Sequence, residues 1–241
     1  SPNAPIYPAF FKVGMHAGTL ENLGNLYDVT LNENGGLVLH IPFNEGSGST
    51  AYDMSGNANN GALTNGPTWT SGKFVWGLNF DGSDDYVSIS DDSAISMGDI
   101  DFMVTAWVKM DSKGSTKGIV HKGAEAGQVS LEYTLQYIIG SDTFGFAISN
   151  GAAQPTVTAT SAGSPATGTW YFVVAWHDAS ANTIHIQVDN GAVDSVSAPG
   201  GSRDAAGNLY IGARHDNGLK HFFDGVIDDV RIYKRILSAD E

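Results

Sequence analysis

Cysteine is absent from this 241-residue chain, which excludes disulfides, thiolate metal centres and a cysteine nucleophile. The fold must therefore be held by its core, helped at most by a metal bound through oxygen. Basic residues are scarce: 12 Lys and Arg stand against 26 Asp and Glu, a formal charge of -14. Binding to nucleic acid depends on neutralising phosphates with Lys and Arg, so no nucleic-acid partner is expected. Charge of either sign is thin, at 16% of residues, too little for a disordered acidic tail. Apolar residues come in short runs, none near the roughly 20 that span a bilayer, and no membrane insertion is expected. Fixed-period repeats and low-complexity segments are missing. The opening Ser1-Pro2-Asn3-Ala4-Pro5 lacks the basic start and apolar run of a secretory signal. The expectation is a protein that reaches the outside by lysis or within a particle, as virion proteins do.

What is present is glycine, 30 residues of it, between short strand-like runs. These are Leu37–Phe43, Leu78–Phe80, Tyr86–Ile89, Phe102–Met110, Gly118–His121, Tyr133–Ile138, Phe144–Ser149, Trp170–Trp176, Thr183–Val188, Leu209–Ala213 and Val226–Tyr233. The pattern predicts an all-β, two-sheet antiparallel sandwich. Asn190-Gly191 signals a hairpin, since both residues tolerate positive φ. In Phe102–Met110, Phe102, Val104, Ala106, Val108 and Met110 share one face, and Met103, Thr105, Trp107 and Lys109 the other. Trp107 then belongs either to a second core layer or to an exposed concave surface. Residues 1–35 differ. Pro2, Pro5 and Pro8 make an extended arm poorly suited to a central strand, and its Tyr7, Phe10 and Phe11 need a surface to cover them. The arm packs on its own domain, on a neighbouring copy or on another protein; an edge strand plus loop is the alternative. Ser238 and Glu241 have capping-box spacing for one helical turn.

Several segments in order carry a resemblance. Leu39-His40-Ile41-Pro42-Phe43-Asn44-Glu45-Gly46-Ser47-Gly48 is followed by Asp53–Gly61, then by Leu78-Asn79-Phe80-Asp81-Gly82 and Asp85-Tyr86-Val87. Next come the Trp strand Phe102–Val108, then Trp170–Asp178, Ile184–Gly191 and Leu209-Tyr210-Ile211-Gly212. The close is Phe223-Asp224-Gly225-Val226-Ile227-Asp228-Asp229-Val230-Arg231-Ile232-Tyr233. This set resembles the laminin-G-like jelly rolls of the concanavalin A-like lectin/glucanase superfamily, over residues 36–241. The resemblance implies a jelly-roll domain at 36–241 behind the arm at 1–35. It does not specify a ligand, because one fold hosts many functions.

The Asp53–Gly61 loop can aim several oxygens at one point, and calcium takes six to eight. Its candidate ligands are Asp53, Asn57 and Asn60. The resemblance implies a further carboxylate from the last strand, Asp228, and a structural calcium that pins the first loop to that strand. The alternative is that Asp53 and Asn57 only stabilise an Asx turn. For glycosidase chemistry, two carboxyls must stand about 5–5.5 Å apart in a retaining enzyme. Glu21, Glu33, Glu45, Glu125, Glu132 and Glu241 form no Glu-x-Asp-x-Glu pattern, and no Gly-x-Ser-x-Gly is present. His177 with His185, and His215 with His221, lack zinc-site spacing. No enzyme is expected. Sugar sites need aromatic platforms ringed by polar groups, and Trp69, Trp76, Tyr133, Tyr137, Trp176, His215 and Asn217 are the candidates, each aromatic with core packing as its alternative.

The sequence thus leads to a non-catalytic, surface-displayed binding or structural protein with a lectin-like domain. Its setting is a virion, as a capsid decoration or tail-fibre protein anchored by the arm. The alternative is a carbohydrate-binding or adhesion module of a secreted bacterial protein. Partners are a protein or neighbouring copies through the arm, together with surface glycans.

Overall fold

The computed structural model describes residues 35–123, 131–216, 218–238 and 240–241. Eighteen strands lie among them, in chain order β1 (Leu37–Ile41), β2 (Thr50–Ala51), β3 (Gly61–Thr64), β4 (Thr68–Ser71), β5 (Trp76–Asp81), β6 (Tyr86–Ile89), β7 (Phe102–Met110), β8 (Lys117–Gly123) and β9 (Leu131–Ile138). The second half holds β10 (Thr143–Ile148), β11 (Thr156–Thr158), β12 (Trp170–Asp178), β13 (Thr183–Val188), β14 (Asp194–Ser197), β15 (Leu209–Ile211), β16 (Arg214–His215), β17 (Leu219–Lys220) and β18 (Asp224–Tyr233). All eleven runs expected from the sequence are strands.

Two eight-stranded sheets face each other. One runs β14-β13-β12-β7-β18-β5-β4, with β1 added on β18; the other runs β11-β10-β9-β8-β15-β6-β3-β2. Every pairing is antiparallel. Period-two alternation sends one set of side chains from each strand inward. Phe102, Val104, Ala106, Val108, Ile184 and Ile186 come from the first sheet, and Tyr133, Leu135, Phe144, Phe146, Leu209 and Ile211 from the second. These merge into one buried apolar cluster, the layered architecture expected of a sandwich.

β18 organises the first sheet. It lies along β7 on one side, and on the other it pairs first with β5 and then with β1. Its register against β7 slips between Asp228, opposite Trp107, and Arg231, opposite Thr105. Asp229 sits in this bulge at φ 48°. A bulge re-aims the residues around it, and here it sets Asp228, Asp229 and Arg231 at the edge of one outer surface. The β13–β14 hairpin turns one residue earlier than the Asn190-Gly191 pair suggests. Asp189 (φ 50°) and Asn190 (φ 56°) take the left-handed positions, and Gly191 N donates to Val188 O at 2.8 Å. At the chain's end, Ser238 N and Oγ donate to Glu241 Oε2 at 3.1 and 3.0 Å, as the capping-box spacing suggests.

Candidate functional site: an aromatic groove on the outer face of a sheet

Alternation on β12 puts Val173, Ala175 and His177 inside, and Trp170, Phe172, Val174 and Trp176 outside. A strand with its larger apolar set facing outward has been built for something other than the core. Its neighbour β7 contributes Met103, Thr105, Trp107 and Lys109 to the same face, so Trp107 belongs to the outer surface. Register brings the rings together: Trp170 is opposite Lys109, Phe172 opposite Trp107, and Trp176 opposite Met103. The Trp107 and Phe172 centroids lie 5.1 Å apart. Phe74, from the β4–β5 turn, meets Trp107 edge-on at 6.2 Å, and Trp176 stacks flat on His185 at 4.8 Å.

Polar groups ring this ladder. The Lys73 ammonium sits 4.1 Å from the Trp107 centroid, and that of Lys109 5.3 Å from Trp170. Each such contact contributes about 0.5–1 kcal/mol at an exposed position. Arg231 is ion-paired with Asp229 at 3.0 Å, and Asp229 also accepts from His40 Nε2 at 2.8 Å. Although burial opposes it, these partners hold the Asp229 carboxyl below its ordinary range. Gln187 and Asn190 supply amides, and the far rim is the segment carrying Ser238 and Glu241. Phe74, Trp107, Phe172 and Trp176, with Gln187, Asn190, Asp229, Arg231, Ser238 and Glu241, line a groove of about 510 Å³, within the usual size range for a small-ligand site.

One buried group builds the groove's wall. Asp228 is fully buried, and its Oδ2 accepts from the amides of Lys73 (2.7 Å) and Phe74 (3.1 Å). The carboxylate therefore holds the loop that brings Phe74 and Lys73 over Trp107. Burial raises its pKa, while the two amides oppose that shift. Gly72 makes the approach possible: a Cβ there would lie 2.1 Å from Trp76 O and 2.6 Å from Asp228 Oδ2.

Catalytic geometry is a separate matter. The groove's carboxyls are Asp229 and Glu241. Asp229 is paired as above, and Glu241 is held down to about 2, first by its hydrogen bond to Arg235. Both stay ionised at neutral pH, and neither is tuned as a general acid.

The other expected residues fall as follows. Trp176 lies in the groove. Trp69 is half-buried, packs on Phe43 and donates to Gly48 O at 2.9 Å, a packing role. Trp76 is 40% exposed at the start of β5, beside Gly46 and outside the groove. Tyr133 and Tyr137, contrary to expectation, offer no sugar platform: both are fully buried in the core, because Tyr133, Leu135 and Tyr137 share the inner face of β9, and their hydroxyls donate to Ile95 O at 3.0 Å and Asp142 Oδ1 at 2.6 Å. His215 stacks on Tyr210 at 6.3 Å, at the other sheet. Asn217, Tyr7, Phe10 and Phe11 lie outside the described residues.

Of the four residues expected to hold calcium, Asp53, Asn57 and Asn60 come together in one loop. Asp53 Oδ1 accepts from His40 N (3.0 Å) and Ser55 N (2.9 Å), and Oδ2 from Ser55 Oγ (2.9 Å) and Asn59 N (3.0 Å). Asn60 Oδ1 accepts from Asp53 N, and Asn57 Nδ2 donates to Val38 O, each at 2.9 Å. Asp228 belongs to the separate bond group at Lys73 and Phe74. Each Asp53 oxygen thus already accepts from two N–H or O–H donors, as the Asx-turn alternative expects, whereas Asp228 Oδ1 is buried without a hydrogen-bond partner.

The concanavalin A-like lectin/glucanases superfamily model matches residues 81–241. The chain belongs to this superfamily. No curated protein matches it. Among solved structures, this lectin/glucanase-type domain is similar to domain 4 of an extracellular arabinanase from Geobacillus stearothermophilus, in complex with arabinotriose. That pair shares 17% identity at TM-score 0.63, over 86% of this chain and 96% of that one. It is also similar to the CBM40 of the Ruminococcus gnavus IT-sialidase bound to α2,3-sialyllactose, at 14% identity and TM-score 0.57, over 68% and 92%. A third is botulinum neurotoxin type C, whose cell entry depends on two ganglioside molecules, at 14% identity and TM-score 0.61; 87% of this chain covers 50% of that one. These likenesses establish the fold that the lectin/glucanase superfamily shares.

Proposed function

We propose that this domain is a non-catalytic, lectin-like module that binds saccharide along the outer groove of its first sheet and works outside the cell. The observation that carries this reading is the ladder Trp107, Phe172 and Trp176. Half-buried rings line a groove on the outer face of the sheet, with Gln187, Asn190, Arg231 and Asp229 around them. Rings of this kind stack on the CH faces of sugars, while the rim takes the hydroxyls. The solved neighbours in complex with arabinotriose and sialyllactose support the class of ligand.

The test is a glycan array probed with the full chain and with Trp107→Ala and Trp176→Ala, melting curves serving as the check on folding. Removing a central stacking ring at a binding site costs about 1–3 kcal/mol, roughly a tenfold loss or more. Binding that both folded variants retain in full overturns the reading. Of the two settings, the neighbours favour a saccharide-binding or adhesion module. Display on a virion rests on the arm at 1–35 and is tested by deleting it.

A further inference from the structure

The ladder carries an unbalanced charge. Two carboxylates line the groove, and each has its own guanidinium: Asp229 with Arg231 at 3.0 Å, and Glu241 with Arg235 at 2.9 Å. A third carboxylate, Asp228, is buried beneath the loop and spends its Oδ2 on two backbone amides. Lys73 and Lys109 have no carboxylate partner among the described residues. Their ammoniums rest on the Trp107 and Trp170 rings, neighbouring rungs of the same ladder. In a chain of formal charge -14 with only 12 basic residues, this places two cations without a carboxylate partner on the sheet face that carries the groove, Lys73 directly over the lining residue Trp107 and Lys109 over Trp170 just beyond the lining.

We infer that the groove takes an acidic saccharide, one bearing a carboxylate or a sulfate. The inference rests on the saccharide-binding reading above and adds the charge of the ligand. The sugar's apolar face lies on the rings, and its anion meets the Lys73 ammonium, with Lys109 one rung away. A lysine held only by the face of a ring gives up little when it turns to an anion, and a charge-assisted hydrogen bond is the stronger contact. The chain's overall negative charge opposes such a ligand, so the attraction comes from these lysines at short range.

The experiment uses the full chain on an array of neutral, sialylated, uronic-acid-containing and sulfated oligosaccharides at low and high salt, with Lys73→Met/Lys109→Met as the variant and melting as the check on folding. The expected result is at least tenfold preference for acidic glycans, weakened by salt and lost in the folded variant. The sialylated and uronic arms against the sulfated arm tell carboxylate from sulfate. Neutral glycans bound as tightly as acidic ones overturn the inference and leave the saccharide reading standing. A preference that the double variant retains also overturns it. A blank array removes both.

Discussion

At the scale of single residues, burial makes a pH-sensitive point far from the groove. His121 on β8 is 2% exposed, stacked 6.4 Å from Tyr210. Burial, followed by the charge of Arg214, lowers its pKa to about 3 from 6.5. The folded state therefore refuses a proton that the unfolded chain accepts below pH 6.5. Stability from this group is present above that pH and is lost as pH falls toward 3, on the order of 5 kcal/mol across the window. Urea unfolding from pH 7 to pH 4 should show a shallower loss in His121→Gln; an identical slope would refute the assignment. Asp53 makes the second residue-scale prediction. With four donors on its carboxylate, Asp53→Ala should cost about 2 kcal/mol or more, equally in calcium and in chelator. A calcium-dependent melting shift that vanishes in Asp53→Ala would restore the metal reading. Both aromatic outcomes were legible in alternation. In Tyr133–Ile138 the polar Thr134 and Gln136 interleave with Tyr133, Leu135 and Tyr137, which marks Tyr137 as core. In Trp170–Trp176 the bulkier apolar set falls opposite the core, which marks an outward-facing apolar surface.

At the scale of elements, the long strands were readable because each carries its own alternation. β2, β3, β4, β11, β16 and β17 were not, since two to four residues show no period and owe their state to the strand they pair with. The groove was half-hidden for a related reason. Which rings meet across β7 and β12 is a matter of register, and register is set by the whole sheet. Phe74 and Lys73 come from a turn, and only the bulged β18 explains their position. Asp228→Asn should loosen that turn, since an amide is a weaker acceptor than a carboxylate for the two backbone donors. Saccharide affinity is expected to fall several-fold, with the fold intact. Gly72→Ala should have the same effect with a larger loss of stability, because its Cβ would strike backbone. Unchanged affinity in both variants would show that the loop plays no part in binding.

At the scale of the whole molecule, residues 34–241 form a compact unit by themselves. Gly35 stays with that unit through its carbonyl, which accepts from Arg235 Nε. Deleting Ser1–Glu33 should therefore leave melting essentially unchanged. On the attachment reading, the shortened chain no longer oligomerises or joins its particle; strong destabilisation would instead make the arm part of the core. The order of the strands also has a consequence in time. β18, the plank that joins β7 to β5 and gives β1 its partner, is the last of the eighteen strands to leave the ribosome. Until it emerges, β14-β13-β12-β7 and β5-β4 are two ribbons with raw edges, and β1 waits unpaired. The first sheet cannot be assembled vectorially from its N-terminal side. Long-range pairing of this kind folds slowly and exposes its edges meanwhile, so yield during synthesis should depend on how long the nascent chain is protected.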